Sequence, residues 1–422
     1  MQLFILSFFQ EKRNRKSAPE GDDFLQVVGI TAEYNPFHTG HLRQLEAVRS
    51  AVGRDTPIVA ALSGDFVQRG EAACFSKFAR AEAAVRCGVS LVLELPLPWS
   101  LSSAEGFARG AVGMLAAAGV VDTISFGSES GALDSLRLCA DVLSGAEFPA
   151  ALRAELENGA PFASVRERAV ARLAGGEAAA RLRDPNDALA VEYIRAAAAL
   201  GAGFSWFPVK RTGAAHDRVG SASELRAKMA AGENWLGSVP PDAAEVFERL
   251  IAEGRGPVTS ASLRLPLLSR LRERSEADFA SLPDVSEGLE HKLFRAAQEL
   301  CSAEEIAQAA KSRRYALSRL RRIVMCAALG VERGMAEGVP PYLRVLAMDE
   351  RGEALLRRMR KTASLPVIIK PAHIRRCDAA AQSIFALGSR AHDLYVLGYS
   401  FEKTRRGGED YRTSPFRPHP EE

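Results

Sequence analysis

Two histidines lie close together where an apolar run changes to a helical pattern, in the string EYNPFHTGHL. His38 and His41 flank Thr39 and Gly40 there. A turn that opens onto a helix N-terminus presents unpaired N–H groups and the positive end of the helix dipole, and both attract anions. Gly40 lets a phosphate approach the main chain, while the imidazoles can donate hydrogen bonds to phosphate oxygens. The string therefore predicts a nucleotide phosphate site with His38 and His41 as its catalytic residues.

Two other interpretations of these histidines stay open. His38 can simply cap the helix while His41 is a partly buried histidine, because short motif matches have a high false-positive rate. Two histidines can also ligate zinc, but no third carboxylate or cysteine is in register with them. The place of the string, directly after the first apolar run, favours the phosphate site over both.

A second helix start, the string SASELR, contains Ser221, Ser223 and Arg226. Serine hydroxyls at a helix N-terminus can hold the terminal phosphates of ATP, and an arginine one turn into the helix can pair with them. Taken alone, the string is an ordinary helix-capping sequence. Together with the first string it predicts a two-part triphosphate site.

The segment from residue 307 to residue 331 has six basic residues and no acidic one. As one helix it would be an electrostatic footprint for nucleic acid, because arginine pairs with phosphates and stacks on bases, and tyrosine stacks on unpaired nucleotides. A basic helix can also be only a solvated face. A basic tail from Lys403 to Arg417 extends the predicted patch. The predicted RNA-binding residues are Lys311, Arg313, Arg314, Tyr315, Arg319 and Arg322.

A polar loop and helix follow the next apolar run, in the string SGDFVQRGEAACFSKFARAE. Its chemistry-bearing residues are Gln68, Arg69, Lys77 and Arg80. At the end of a strand these side chains can bind a small anion, pyrophosphate or an RNA strand. An ordinary polar loop with an exposed helix face explains the same residues equally well.

Apolar runs alternate with helical patterns from Leu25 to about residue 210. This alternation predicts right-handed crossovers and an α/β fold with a doubly wound parallel sheet, whose ligands lie at the carboxyl ends of the strands. After Pro240 and Pro241 the pattern is helical to about residue 331, and a small mixed α/β segment follows. We therefore predict a catalytic domain over residues 25–240 and a mainly helical C-terminal region over residues 241–422.

Composition limits the class of protein. The 422 residues are 47% hydrophobic, enough for two or three domains, and 55 basic residues nearly balance 52 acidic ones. Any nucleic-acid contact must therefore come from a local patch. The six cysteines form no CxxC pair, which argues against a metal knuckle or a disulfide framework and favours a reducing cytoplasm.

The first 24 residues are expected to lie outside the fold. The apolar start MQLFILSFF has no basic residues before it and no small-residue cleavage site after it, which argues against a signal peptide. The charged string that follows is typical of a disordered leader. No apolar stretch reaches the ~20 residues of a membrane span, so we expect no membrane partner.

The two phosphate-site strings, HxGH and S-x-S-x-x-R, resemble those of the nucleotidyltransferase superfamily, which has a Rossmann-like fold. More closely, the chain resembles the tRNA(Met) cytidine acetate ligase family from Gly29 to about Pro415. The strings that carry this resemblance include GITAEYNPFHTGHL, FGSESG, DPNDALAVEYI, KSRRYALSRLRRI and RRGGEDYRTSP.

The resemblance implies a carbon–nitrogen ligase. Acetate and ATP would give an acetyl-adenylate and pyrophosphate, and the acetyl group would pass to N4 of the wobble cytidine of elongator tRNA(Met). It implies ATP as a substrate, and Mg²⁺ bridging the phosphate oxygens. The ATP-binding residues it implies are Thr31, Asn35, His38, Gly40, His41, Gln44, Gly127, Asn186, Arg211, Thr212, Ser221, Ser223 and Arg226.

Some of these residues also have ordinary explanations. Gly127 can be a plain turn, Asn186 a helix cap and Arg211 a solvated charge. The chain also departs from the family pattern at Asp65, where the family usually has asparagine. A carboxylate beside phosphate is repulsive unless it binds Mg²⁺ or points away, which leaves the role of Asp65 open.

Two rival functions fit part of the pattern. A nucleotidyltransferase for a small phosphorylated coenzyme precursor would share the two phosphate strings but leaves the basic segment unexplained. A non-catalytic RNA-binding protein on a nucleotide-binding fold would explain the basic segment. The intact set of His38, Gly40, His41, Ser221, Ser223 and Arg226 argues against that second rival.

Overall fold

The computed structural model describes residues 26–156, 162–211, 221–286, 288–312 and 315–418. The apolar runs form the strands, as expected for short segments rich in β-branched residues. The strands are β1 Val28–Ala32, β2 Ile58–Ser63, β3 Phe66–Val67, β4 Glu71–Ala72, β5 Leu91–Leu95, β6 Thr123–Ser128, β7 Ser205–Lys210, β8 Leu343–Met348 and β9 Val367–Ile368.

Helices fill most of the remaining described chain. Several begin at side-chain caps that accept a hydrogen bond from the first turn, such as Ser76, Ser103 and Asp378. The first nine are α1 Thr39–Val52, α2 Lys77–Arg86, α3 Leu97–Ser100, α4 Ala104–Ala117, α5 Leu133–Ser144, α6 Phe148–Leu156, α7 Phe162–Ala180, α8 Pro185–Ala199 and α9 Ala222–Ala231. The others are α10 Pro241–Ala252, α11 Arg264–Arg272, α12 Glu276–Ala280, α13 Leu289–Glu299, α14 Ala303–Ala310, α15 Leu317–Leu329, α16 Glu350–Thr362 and α17 Ala379–Tyr395.

Seven strands form one sheet in the order β7-β6-β1-β2-β5-β8-β9. The pairs among β7, β6, β1, β2 and β5 are all parallel. Successive residues of β2 face opposite layers. Val59 and Ala61 belong to the hydrophobic cluster that includes α4, α5 and α8, and Ala60 and Leu62 belong to the cluster that includes α1, α2 and α10. The predicted α/β class with a Rossmann-like, doubly wound, mostly parallel sheet is confirmed.

The sheet also takes two strands from late in the chain. Strand β8 pairs antiparallel with β5, and β9 pairs parallel with β8. The helices from α11 to α15 form a separate hydrophobic cluster with α17, which confirms a helical C-terminal region. The division into domains at residue 240 stays a prediction, and the sheet itself uses residues from both sides of it.

Some predictions fall on residues that the structure does not describe. The predicted leader, residues 1–24, lies outside the described ranges, as do the predicted site residues Thr212, Arg313 and Arg314. Within the described ranges, no helix is both long enough and apolar enough to cross a membrane.

A buried cluster of charges joins the late strands to the early ones. Lys77 Nζ lies 2.8 Å from Glu94 and 2.7 Å from Asp410, and Arg344 also pairs with both carboxylates. Burial raises the pKa of Asp410, but the opposing charges of Lys77 and Arg344 outweigh burial and hold this pKa well below its ordinary value. Asp410 therefore stays ionised and fixes the end of the chain against α2 and β5.

Removing one partner of this cluster should be costly. Asp410→Ala leaves Arg344 paired with Glu94 alone and Lys77 with Glu94 and the more distant Asp65, at 4.0 Å. Breaking a buried pair from one side costs about 3–5 kcal/mol. Urea unfolding should show that loss. As a control, Glu105→Ala breaks the surface pair with Arg109 and should change stability by about 0–1 kcal/mol. Equal, small effects of both substitutions would contradict a stabilising role for the cluster.

Candidate active site

The two histidines lie in the turn between β1 and α1, at the carboxyl edge of the sheet. His38 has an extended backbone and caps α1, and its Nδ1 accepts a hydrogen bond from Gly40 N at 3.0 Å. His41 Nδ1 accepts from His38 N at 3.2 Å, which completes a reciprocal capping pair. Because each Nδ1 is an acceptor, the neutral form of each ring carries its hydrogen on Nε2. Capping by His38 is therefore compatible with donation from Nε2 to phosphate.

Both rings are held in the neutral form. Burial, helped by the positive charges of Arg211 and Arg226, lowers the pKa of His38 to about 4. Burial, followed by the effects of His38 and Arg211, keeps the pKa of His41 well below its ordinary value. The ring centroids are 3.9 Å apart. The site thus offers two adjacent neutral N–H donors with arginines nearby to supply positive charge.

Gly40 has no room for a side chain. A Cβ on it would lie 2.7 Å from Cε1 and 2.9 Å from Nδ1 of His38. Any larger residue would push the His38 ring out of its capping position. Glycine is thus required by the ring as well as by the approach of a ligand to the main chain.

The second helix start lies next to the first. Ser221 caps α9, accepting a hydrogen bond from Glu224 N at 3.2 Å, and Ser223 Oγ accepts one from Arg69 Nη1 at 3.2 Å. Arg226 Nη1 donates to Asn35 O at 2.8 Å. Arg226 therefore ties the start of α9 directly to the turn that carries His38. The structure brings both predicted phosphate strings together.

Asn35 has one satisfied and one unsatisfied polar atom. Its Oδ1 accepts a hydrogen bond from Cys74 N at 2.8 Å. Its Nδ2 is buried, with no hydrogen-bond partner in the part of the chain that the structure describes. A buried amide without an acceptor is unfavourable, so a nucleotide oxygen or a water would stabilise this position.

The remaining predicted ATP contacts lie on or beside β1, β6 and β7. Thr31 is the penultimate residue of β1, and its side chain forms a hydrogen bond with Tyr193. Gln44 Nε2 lies 3.4 Å from Ser125 Oγ of β6. Gly127 is near the end of β6, where a Cβ would make only ordinary contact with the exposed Arg211. These four residues therefore surround the carboxyl edge near the two histidines, and their roles stay predictions.

The Asn186 side chain forms a hydrogen bond with Glu129. Its Nδ2 donates to Glu129, and the same carboxylate accepts from the main-chain N of Asn186 at 3.2 Å and of Asp187 at 2.9 Å. Glu129 thus caps α8 from outside. The explanation of Asn186 as a helix cap is therefore wrong, because Glu129 supplies the cap.

Two residues of the polar string are structural. The Lys77 and Arg80 side chains are buried, so neither binds an external anion or forms an exposed face, and both interpretations were wrong for them. Arg80 donates to the carbonyls of Glu33, Ser63 and Gly64, which holds the ends of β1 and β2 together. The sequence signal for this was the run of alanines around Arg80, which indicates a helix packed on all sides.

Asp65 points away from the phosphate site. Its Oδ1 accepts from Lys77 N at 2.7 Å, and its Oδ2 lies 2.8 Å from His392 Nδ1. Burial lowers the pKa of His392, but Asp65 and Glu409 outweigh burial and raise it to about 10. The carboxylate is therefore paired with a charged imidazole from α17, which answers the question left open by the sequence.

The basic segment is two helices and not the single helix expected. Helix α14 ends at Ala310 and α15 begins at Leu317. Tyr315 is 7% exposed, its Oη donates to Ser286 O at 2.8 Å, and the Arg319 guanidinium lies 4.8 Å from its ring. In this conformation Tyr315 packs inside the protein and presents little surface to a base. Among the described members of the predicted RNA site, Lys311 is exposed and Arg319 and Arg322 are half-buried.

The predicted triphosphate site and the basic segment both contact one loop. A Cβ on Gly70 would lie 2.5 Å from the backbone of Arg321 and Arg322, so the main chain after Arg69 packs directly on α15. Arg69 in turn contacts Ser223 of α9. The loop between β3 and β4 therefore connects the predicted triphosphate site with the predicted RNA site.

Comparison with known proteins gives consistent matches over most of the chain. The model of the HIGH nucleotidyl transferase family matches residues 25–410. A tRNA(Met) cytidine acetate ligase from Alkaliphilus metalliredigens is 32% identical over 419 residues, covering 93% of this chain and 99% of that protein. A tRNA(Met) cytidine acetate ligase from Thermotoga petrophila is 37% identical over 413 residues, covering 91% and 98%.

Solved structures match equally well. The crystal structure of Thermotoga maritima TmcAL bound with alpha-thio ATP aligns with a TM-score of 0.87 and 34% identity, over 93% of this chain and 99% of that chain. The apo structure of the same protein aligns with a TM-score of 0.88 and 33% identity.

Gly40→Ala tests the turn. The added methyl group should displace the His38 ring and block close approach to the main chain, so we expect at least ~10-fold weaker ATP binding by calorimetry, equivalent to ~1.4 kcal/mol. Gly176→Ala is the matched control, because a Cβ there would contact nothing within 4 Å. Unchanged ATP affinity in Gly40→Ala would remove this turn from the nucleotide site.

Proposed function

The chain belongs to the tRNA(Met) cytidine acetate ligase family of HIGH nucleotidyl transferases, and we propose that it activates acetate with ATP and acetylates N4 of the wobble cytidine of elongator tRNA(Met). The resemblance stated from the sequence is thereby confirmed. The observation that carries the proposal is the pair of neutral histidines next to Arg226. Their Nδ1 atoms cap α1, and their Nε2–H groups have no acceptor among the described residues.

In the first step a carboxylate oxygen of acetate attacks the α-phosphorus of ATP. A new oxygen–phosphorus bond forms, the bond to the β-phosphate oxygen breaks, and pyrophosphate leaves. Negative charge increases on the transferred group, and hydrogen-bond donors placed in advance lower this barrier. His38 and His41 would supply neutral donors there, while Ser223, Arg226 and Arg69 would hold the leaving phosphates.

In the second step the cytidine N4 amine attacks the acetyl carbonyl carbon of the adenylate. The bond between that carbon and the phosphate oxygen breaks, AMP leaves, and the amine loses one proton. This step requires the RNA strand to approach the edge where the adenylate forms. We expect the loop between β3 and β4 to lie along that approach, because it carries Arg69 and packs on α15.

ATP is the nucleotide substrate, and we propose that Mg²⁺ arrives with it. In the described ranges, no group of three or more His, Cys, Asp or Glu side chains is arranged to hold a metal ion. Magnesium commonly binds through substrate phosphates, water and one or two carboxylates, which suits a site of this kind. The ion would neutralise phosphate charge beside the arginines.

The decisive measurement is acetate-dependent exchange of labelled pyrophosphate into ATP, with and without tRNA. We expect exchange with the unaltered protein and its loss in His41→Ala, because that change removes a donor from the phosphate site. tRNA affinity should stay within about twofold, since the basic segment is a different surface. His291→Ala, an exposed histidine on α13, is the control and should retain exchange. Acetate-independent exchange, or equal loss of exchange and tRNA binding in His41→Ala, would contradict the proposed division.

The accessible basic residues should contribute to tRNA binding through phosphate contacts. Replacing Lys311 and Arg319 by glutamine should weaken binding and reduce the slope of log K against log salt by about one per lost phosphate contact. The matched control replaces Arg153 and Arg172, two exposed arginines on α6 and α7. A salt slope that is the same in both double variants would place the RNA contacts elsewhere.

A further inference from the structure

A pocket at the β9 edge of the sheet is unexplained by the phosphate site. It has a volume of about 420 Å³. This volume lies within the range of typical small-molecule sites, about 300–1,000 Å³. A 3₁₀ helix, Pro371–Arg376, forms one side of the pocket and α17 forms the second. A second 3₁₀ helix, Glu409–Tyr411, forms the third side. Residues that line it include Ile374, Arg375, Gln382, Phe385, Ala386 and Tyr411. We name it the Tyr411 pocket.

An aromatic platform forms one wall of the Tyr411 pocket. Tyr411 is 52% exposed, and its ring meets the buried Phe385 edge-on at 5.3 Å. The guanidinium of Arg344 lies 4.7 Å from the centroid of the Phe385 ring and holds this ring in place through a cation–π contact. A tyrosine that is anchored at one edge and half exposed is suited to stack a planar group. Such platforms bind unpaired bases with little sequence preference.

Polar groups at the rim fit a nucleotide. Gln382 Nε2 donates to Cys377 O at 2.8 Å, which orients the amide and leaves its oxygen as an acceptor for a base amino group. Among the described residues, no carboxylate pairs with the Arg375 guanidinium. An unpaired arginine beside an aromatic platform can bind the phosphate of a stacked nucleotide.

The surface around the Tyr411 pocket is basic. Residues 370–376 include Lys370, His373, Arg375 and Arg376 and no acidic residue. In the neighbouring tail, Glu409 is paired with Arg255 and His392, and Asp410 with Lys77 and Arg344. The acidic charge of the tail is therefore neutralised internally. Arg417 at the end of the tail pairs with Glu353, which leaves Lys403, Arg405, Arg406 and Arg412 of the tail to attract a polyanion.

The Tyr411 pocket lies toward the same edge of the sheet as the phosphate site but at a distance from it. Asp410 pairs with Arg344, which lies opposite Glu94 near the carboxyl end of β5. Four strand spacings separate β1 from β9. At ~4.8 Å each they amount to about 19 Å. A base in the pocket is thus not the base that reacts at the adenylate.

We propose that the Tyr411 pocket binds one unpaired nucleotide of the RNA substrate other than the reacting cytidine. The base stacks on Tyr411 and its phosphate pairs with Arg375. This inference rests on the proposed function, because it takes tRNA as the substrate. It gives the basic tail a role in holding an RNA loop while the cytidine reaches the adenylate.

The test compares Tyr411→Ala, Tyr411→Phe and Arg375→Gln in the full-length protein, with Arg153→Gln as the control for charge. The probes are an anticodon stem-loop RNA and a fully paired hairpin, each titrated over the same series of salt concentrations. Tyr411→Ala should weaken stem-loop binding by about 5- to 150-fold, the range for loss of a base-stacking aromatic. Tyr411→Phe should bind like the unaltered protein, and Arg375→Gln should lower the salt slope by about one. Affinity for the paired hairpin should change less than twofold in Tyr411→Ala.

Unchanged stem-loop affinity in Tyr411→Ala, or an equal loss for the paired hairpin, would overturn the proposal. If Tyr411→Ala lowers the melting temperature, Arg375→Gln and Gln382→Ala decide, and unchanged stem-loop affinity in both overturns it. Pyrophosphate exchange measured on the same variants separates the two ideas. Absence of acetate-dependent exchange in the unaltered protein removes the proposed function, whereas the stem-loop titrations still decide whether the pocket binds RNA.

Discussion

The buried charges between α2, β5 and β8 constrain the rest of the structure. Lys77 and Arg344 are buried, so each must be matched by a carboxylate inside the protein. Glu94 supplies one and Asp410, more than three hundred residues after Lys77, supplies the other. The chain must therefore return to the first sheet after its helical part. That return adds β8 and β9 to the sheet and brings α17 against the loop that begins at Asp65.

This return also positions the site. His392 of α17 holds Asp65, and Arg80 holds the carbonyls at the ends of β1 and β2. The polar loop lies between these two anchors. On one side its Arg69 donates a hydrogen bond to Ser223, and on the other side its Gly70 packs against the backbone of α15. The nucleotide side and the RNA side of the proposed reaction are consequently built on one loop. A substrate pair that must meet at an acyl-adenylate requires this kind of proximity.

Local chemistry was predictable from the sequence, and long-range packing was not. The turn at His38 and the cap at Ser221 depend on residues within one helical turn, so their strings indicate them directly. The apolar pattern of β8 does not show whether the strand belongs to a separate sheet or to the first one. Its partner β5 lies 250 residues earlier in the chain, too far for a local pattern to indicate the pairing. The alanines around Arg80 indicate a helix packed on all sides, but the sequence does not indicate which distant carboxylates and carbonyls pair with Lys77 and Arg80. The break between α14 and α15 replaces an expected continuous helix, and with it Tyr315 turns inward to bond Ser286.

The capping role of His38 and His41 strengthens the proposed chemistry. A free imidazole exchanges its hydrogen between two nitrogens, so its donor direction is not defined. Here both Nδ1 atoms accept main-chain N–H groups, which places the remaining hydrogen of each ring on Nε2. Burial keeps both rings uncharged, and charge balance for a bound triphosphate is left to Arg211, Arg226 and Arg69. Directional donors and positive charge are thus supplied by different residues, so increasing charge at the α-phosphorus meets donors that need no reorientation.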